Sequence, residues 1–497
     1  MKRRRFLHAL AAAPIGSVMS SPYAVFLNGN IPLAGREGVE PRLLDKASDG
    51  VITGQPLFIP PLYEGENAAG ERNFDLFMQE SVHEVLAGKE TPTWVVNTAA
   101  SQLPMLGPTL YLRRGDDVRI NYTNGLPETT TMHGHGMAVP GPMDGGPHQR
   151  IAPGNTWQAS YRVEQPACTN WYHPHEMEKT AEHVYHGLAG LIVIEDDVTD
   201  ELPLPSTYAF DDIPLVVQDR RFLASGAFDY SPTNQEIRQG YFGDVILVNG
   251  QVQPHVSVPQ GLVRLRLLNA SNSDVWRFDF SDGRVFTVIA GDNGFLPKPV
   301  DVRSLVLSPA ERAEIIVNFT TDRHARVALQ VQGIRSGLNQ VGVFLDVTAG
   351  YAPVTRWPSW WPESTFQPEP NAPLRTFDLG GQGGLRINGQ QMNLNVINEQ
   401  VPLGQTEIWR VRSTMGMMHH NFHIHGGGFH LLTRNGRADA VRPHEKGEKD
   451  TVYLEPGDEV TFQVTFNHQA DSSNPYMYHC HFLEHEDAGM MGQFTVL

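Results

Sequence analysis

Tyr111-Leu112-Arg113-Arg114-Gly115-Asp116-Asp117-Val118-Arg119-Ile120-Asn121-Tyr122 carries two short alternating runs of strand-forming residues around a Gly-Asp turn. Alternation with period two turns one row of side chains to a core and the other to water, and short runs punctuated by turns read as β-sandwich. The same pattern continues past Gly50, and it repeats. A Pro-Gly or Pro-Ala turn leads into a strand at Pro153-Gly154 (Thr156 to Val163), at Pro309-Ala310 (Arg312 to Phe319) and at Pro456-Gly457 (Glu459 to Phe466). Each has a matching strand upstream: Val118 to Tyr122, Val263 to Asn269, and Ile408 to Arg412. Three copies predict three similar all-β domains, over residues 50–200, 201–355 and 374–497. The stretch opening Trp357-Pro358-Ser359-Trp360-Trp361-Pro362 holds five prolines by Pro373 and shows no alternation, so residues 356–373 read as a linker.

The chain has 497 residues, which at roughly 150 per domain also gives about three. Lys and Arg number 38 and Asp and Glu 55, a balance of −17 that disfavours a sequence-independent grip on nucleic acid. Lys2-Arg3-Arg4-Arg5-Phe6-Leu7 followed by the apolar run Ala9 to Val18 reads as an export signal over residues 1–24. Its paired arginines resemble a twin-arginine leader, which predicts a folded protein delivered to the periplasm. No later stretch reaches 18 consecutive apolar residues, so no stable membrane insertion is expected.

Two cysteines stand against 21 histidines. Random placement predicts roughly 0.9 His-x-His pairs. There are four: His133/His135, His173/His175, His423/His425 and His479/His481. In a strand, residues i and i+2 share a face, so each pair offers two imidazoles side by side, and imidazole is a common ligand of copper and zinc. Two pairs fall in the first repeat, two in the third and none in the second. That distribution predicts one polynuclear metal site between the first and third domains, with the second as a spacer.

The run Tyr478-His479-Cys480-His481-Phe482-Leu483-Glu484-His485-Glu486-Asp487-Ala488-Gly489-Met490 offers a different donor set. Cys480, His485 and Met490 supply the thiolate, imidazole and weak thioether of a blue copper electron-transfer centre, which also wants a second histidine. His420, three residues before His423, is placed to supply it. A metal held by Cys480 would then be one residue of backbone away from imidazoles at the other site.

These residues resemble the multicopper oxidases, above all their bacterial laccase and copper-efflux branch. The motifs are His133-Gly134-His135-Gly136, Trp171-Tyr172-His173-Pro174-His175, His420-Asn421-Phe422-His423-Ile424-His425-Gly426 and the Cys480 run. The resemblance implies three cupredoxin domains and four copper ions. A type 1 copper would be held by His420, Cys480, His485 and axial Met490, and a type 2 copper by His133 and His423. A type 3 pair would take His135, His173, His175, His425, His479 and His481. It also implies four one-electron oxidations of a small-molecule or metal-ion donor coupled to reduction of O2 to water, and Asp144 and Glu486 match family positions that relay protons. Read by itself, Asp144 before Gly145-Gly146 is equally a turn residue. Glu176-Met177-Glu178 departs from the branch pattern, so His183 and His186 are expected at the surface or just outside the ligands. His419 and His430 read as rim or structural residues, and Cys168 as a small buried hydrophobe.

For the donor, no methionine occurs between Met177 and Met392, where efflux enzymes carry a methionine-rich insertion, and Gly416 stands where they resemble one another in an acid. The resemblance therefore implies laccase-like oxidation of phenols and aromatic amines, ahead of a Cu(I), Mn(II) or Fe(II) oxidase and of a non-catalytic copper-binding scaffold. Met490, in place of a non-ligating side chain, implies a low type 1 potential. A monomer is expected.

Overall fold

In each repeat the strand after the Pro-Gly or Pro-Ala turn pairs antiparallel with the strand upstream. Thr156–Arg162 lies along Asp117–Asn124, Arg312–Asn318 along Leu262–Asn269, and Glu459–Thr465 along Thr406–Ser413. On its other edge each upstream strand takes a parallel partner: Glu71–His83, Asp212–Arg220 and Leu374–Leu379. One mixed-sheet pattern thus occurs three times. The structure is a computed structural model that describes residues 50–497 apart from Ala69, Gln382, Gly383 and Met415. The expected leader at residues 1–24 lies outside the described residues.

Each mixed sheet packs on a second sheet to close a β-sandwich. Phe74, Ile120, Tyr122 and Ile192 fill the first core, Leu265, Trp276, Phe278 and Ile315 the second, and Phe377, Trp409, Phe422 and Phe462 the third. Asp117–Asn124 and Thr406–Ser413 alternate buried and half-exposed residues, as strands with one wet face must. Leu262–Asn269 is buried on both faces, because its outer row meets the first sandwich. Helices are short and sit at the junctions, among them Thr180–His186, Asn234–Gln239 and Leu483–Asp487. Among the described residues no helix is long and apolar enough to cross a membrane. No strand falls between Tyr351 and Leu374. That segment runs over its neighbours, with Trp361 Nε1 donating to Leu296 O at 2.8 Å and Phe366 stacked on His430 at 4.0 Å.

The sandwiches are joined by buried ions. Arg266 donates to Asp212, Glu314 and Thr169 Oγ1, so the outer row of the middle sheet grips the first sandwich. Arg312, wholly buried, donates to both oxygens of Asp450 at 2.8 and 2.7 Å, to Thr169 O at 2.9 Å and to Asn170 Oδ1 at 2.6 Å. Its planar fork ties all three units together. Arg312→Met removes the partner of a buried carboxylate and should cost about 3–5 kcal/mol. Chemical denaturation monitored by fluorescence checks this, and adding Asp450→Leu should recover part of the loss, because the uncompensated charge goes with it.

Candidate metal centre

Strand register brings the paired histidines together. His133 lies opposite His173 across one antiparallel ladder, and His423 lies opposite His479 across another. His175 and His481 stand two residues further along their chains. The two ladders meet ring to ring: His133 stacks on His425 with centroids 4.0 Å apart, and His135 on His423 at 3.8 Å. Eight imidazoles, four from the first sandwich and four from the third, are at most 1 % exposed.

The outer partners of these rings settle which nitrogen is bare, since a ring nitrogen facing a carbonyl must be the N–H. His133 Nδ1 donates to Asp144 O at 2.6 Å, His173 Nδ1 to Pro174 O at 2.8 Å, and His423 Nδ1 to Asp450 O at 2.9 Å. His479 Nδ1 donates to Cys480 O at 3.2 Å and His425 Nδ1 to the Asp144 carboxylate at 2.7 Å. Each of these rings therefore turns a lone pair on Nε2 inward. His135 is reversed: its Nε2 donates to Asp450 Oδ1 at 3.0 Å, leaving Nδ1 to face His173 Nε2 at 3.4 Å.

The inward nitrogens fall into three groups. The Nε2 atoms of His175 and His425 each lie 3.2 Å from His479 Nε2. His173 Nε2 lies 3.4 Å from His135 Nδ1 and from His481 Nε2. His133 Nε2 and His423 Nε2 are buried with no hydrogen-bond partner. Bare nitrogens converging in a dry pocket repel one another and are stabilised by a shared Lewis acid, so the donor set fits borderline-soft metal ions such as copper.

A fourth group is built around Cys480. His420 Nδ1 and His485 Nδ1 lie 3.7 and 3.6 Å from its Sγ, and His485 Nε2 donates to Arg238 O at 3.0 Å. Met490 is wholly buried, its carbonyl accepts the Cys480 N–H and its own N–H donates to His485 O. Burial pushes the Cys480 thiol up to about 12. A thiolate there requires a cation beside it. Asn421 Oδ1 accepts the His481 N–H at 2.6 Å and lies 3.7 Å from Cys480 Sγ, bracing the two sites against each other.

Both expected acids lie against the rings. Asp144 Oδ2 accepts from His425, while Oδ1 is buried and unpartnered. The turn behind Asp144 needs glycine: Gly145 has φ +79° and a Cβ there would meet Met132 O at 1.9 Å. Glu486 is wholly buried, 3.1 Å from His479 Nδ1 and 3.5 Å from His175 Nδ1. Burial pushes both carboxyls upward, that of Asp144 far above the usual range. Asp450, absent from the sequence-based set, behaves oppositely. Burial works against its charge, yet Arg312 and His135 hold its carboxyl well below the usual range. No spacing rule could single it out, since it lies 25 residues from His425 in no motif. Trp171, quoted only as part of a motif, stacks on His173 at 4.0 Å.

The remaining residues find structural roles. His183 is wholly buried, which excludes the surface and leaves the other expected place, because its helix packs inward; its Nδ1 meets Thr130 Oγ1 at 2.9 Å and its Nε2 meets Glu128 at 2.8 Å. His186 packs on Trp94, and His419 stacks on Tyr453. Cys168 is a buried free thiol.

Family profiles described as multicopper oxidase match residues 78–199, 227–343 and 362–497. Cell division protein FtsP of Salmonella typhimurium is 36 % identical over 89 % of this chain and 93 % of its own length. Multicopper oxidase mco of Staphylococcus aureus is 36 % identical over 80 % and 84 %. Among solved structures, a laccase-like multicopper oxidase CueO from Ochrobactrum sp. superposes with a TM-score of 0.81 at 35 % identity, over 89 % of this chain and all of that one. With three matching profiles, relatives that align over most of their length and a donor set suited to copper, the chain belongs to the multicopper oxidase family of copper-dependent oxidoreductases that use O2.

Proposed function

We propose that the chain holds four coppers: a type 1 ion at His420, Cys480, His485 and Met490, a type 2 ion at His133 and His423, and a type 3 pair at the two three-histidine groups. The observation that carries this reading is the position of Cys480. It faces His420 and His485, while its chain neighbours His479 and His481 turn into two different groups of the cluster. Copper at these places supplies one-electron oxidation of a donor at the first and reduction of O2 at the others. The peptide units on either side of Cys480 form the shortest covalent path between them.

The chain's own residues supply protons. Asp144 and Glu486 are carboxyls that burial pushes upward, and each lies against two cluster rings. Asp144 Oδ1 and both Glu486 oxygens are buried and unpartnered, so a proton can reside there facing the site. Copper occupies the imidazole lone pairs, which leaves the carboxyls as the donors.

Donor oxidation is assigned to the outer edge of the Cys480 group, with phenols and aromatic amines as substrates. The missing methionine-rich insertion supports this, as does the Ochrobactrum protein, described as having oxidase activity towards lignin model compounds and lignosulfonate. Met417, 91 % exposed and three residues from His420, favours a metal-ion donor as the second reading. The relatives named as cell division protein FtsP suggest a role in division as a further reading.

Copper-loaded protein should be blue and bind about four coppers per chain. Oxygen uptake with a phenol, an aromatic diamine, Cu(I), Mn(II) and Fe(II) in parallel should be fastest with the aromatic donors; fastest uptake with Cu(I) would replace the laccase reading by the metal-ion one. Cys480→Ser should abolish the blue band and turnover while about three coppers stay bound, by metal analysis. Asp144→Asn keeps the His425 contact but removes the proton, so O2 turnover should fall about 10²-fold with the blue band unchanged. Unaltered turnover from acid to neutral pH would remove Asp144 from proton delivery.

A further inference from the structure

The middle sandwich contributes no ligand, yet one of its cations comes close to the Cys480 group. The Arg335 guanidinium lies 4.4 Å above the Phe482 ring and 5.1 Å from that of Phe242. Phe482, two residues after Cys480, has its ring 5.5 Å from that of His485. The charge is therefore within about 10 Å of the His485 ring, across one aromatic layer. Its hydrogen bonds go to carbonyl oxygens, Ser273 O and Gln239 O, both at 2.5 Å, rather than to a carboxylate. Two nearby acids offset part of its charge without bonding to the guanidinium. Asp274 accepts the N–H groups of Val275 and Arg335 and the Ser336 hydroxyl, and Glu484 accepts from Asn272, Ser273 and Tyr230.

Carbonyl dipoles hold a guanidinium in place without cancelling its charge. Arg335 is half-buried, and the path from its charge to the His485 ring runs through Phe482 rather than through solvent. A one-electron couple loses one positive charge on reduction, and a fixed cation nearby stabilises the reduced form.

We propose that Arg335 is a positioning charge that raises the redox potential of the Cys480 centre, and so sets from the middle domain which donors the enzyme can oxidise. The proposal rests on the type 1 reading of that centre. It opposes the effect of Met490: the thioether lowers the potential and the guanidinium lifts it. The same side chain pins the helix Asn234–Gln239 through Gln239 O, next to the Arg238 carbonyl that receives His485 Nε2. Charge and cover are thereby delivered together.

The test is a redox titration of the blue band in copper-loaded full-length protein. In Arg335→Gln the ratio of reduced to oxidised centre at fixed applied potential should fall about tenfold, which is about 59 mV for one electron. Arg335→Lys should stay close to wild type. Copper content and the type 1 EPR spectrum should be the same in all three. A wild-type midpoint in Arg335→Gln, or an equal fall in Arg335→Lys, overturns the proposal. Should Arg335→Gln not fold, Arg335→His carries the test: its midpoint should fall as pH rises through the imidazole range more steeply than wild type, and equal slopes overturn the proposal. A colourless wild type overturns the type 1 reading and this proposal together, whereas a blue protein with an unmoved midpoint overturns only the role of Arg335.

Discussion

Eight imidazole rings packed out of water, each with a bare nitrogen turned to its neighbours, are the constraint on which the rest of the molecule depends. A buried polar atom without a partner costs on the order of 1–3 kcal/mol. His133 Nε2 and His423 Nε2 are two such atoms, and the 3.2 Å contacts at His479 set lone pair against lone pair. Such an arrangement is kept by holding rings from behind and by a cation that meets them in front. The carbonyls of Asp144, Pro174, Asp450 and Cys480 do the holding. Strand pairing explains why backbone serves: a ring emerging from a ladder end has a neighbouring carbonyl within reach of its Nδ1 without using a side chain.

Backbone carbonyls do not hold the other four rings: His425 takes the Asp144 carboxylate, His175 and His481 have no hydrogen-bond partner at Nδ1, and His135 accounts for the buried ions. With Nε2 turned outward it needs an acceptor, and Asp450 provides a charged one. A carboxylate in that position would itself be costly, so Arg312 sits against both its oxygens. Gly136 follows from the same crowding: a Cβ there would meet Asn170 Oδ1, Arg312 Nη2 and Asp450 Oδ2 within 2.7 Å. The glycine after His133-Gly134-His135 is thus demanded by the arginine of another domain. The middle sandwich is more than a spacer, since it brings the cation that lets the first and third share a cluster.

Much of this was legible in the sequence because strands and ligands both obey short spacing rules. Period-two alternation located the strands, the Pro-Gly turns located the repeats, and His-x-His and the Cys480 run located the rings. Arg312, Asp450 and Arg335 obey no such rule. Arg312 and Asp450 are 138 residues apart and meet only because two sandwiches dock, while Arg335 sits in a turn between strands of the middle domain. The burial of His183 is hidden from the sequence for a related reason. Its helix has seven residues, too few for a reliable amphipathic pattern, and is buried by the third-domain helix that carries His485 and Glu486.

The two ends of the molecule's chemistry therefore answer to different parts of the chain. At the cluster, buried carboxyls and ring orientation come from the first and third domains, with Asp144 and Glu486 each reaching rings on both sides of the junction. The Cys480 group belongs wholly to the third domain, but what covers it belongs to the second: the Arg238 carbonyl on His485 and the Arg335 charge beyond Phe482. Ligand residues cannot drift without losing the metal, whereas these covering residues can change without touching a ligand. Differences in donor between members of such a family are accordingly expected in the middle domain, on the short helix Asn234–Gln239 and the turn at Arg335, rather than among the histidines.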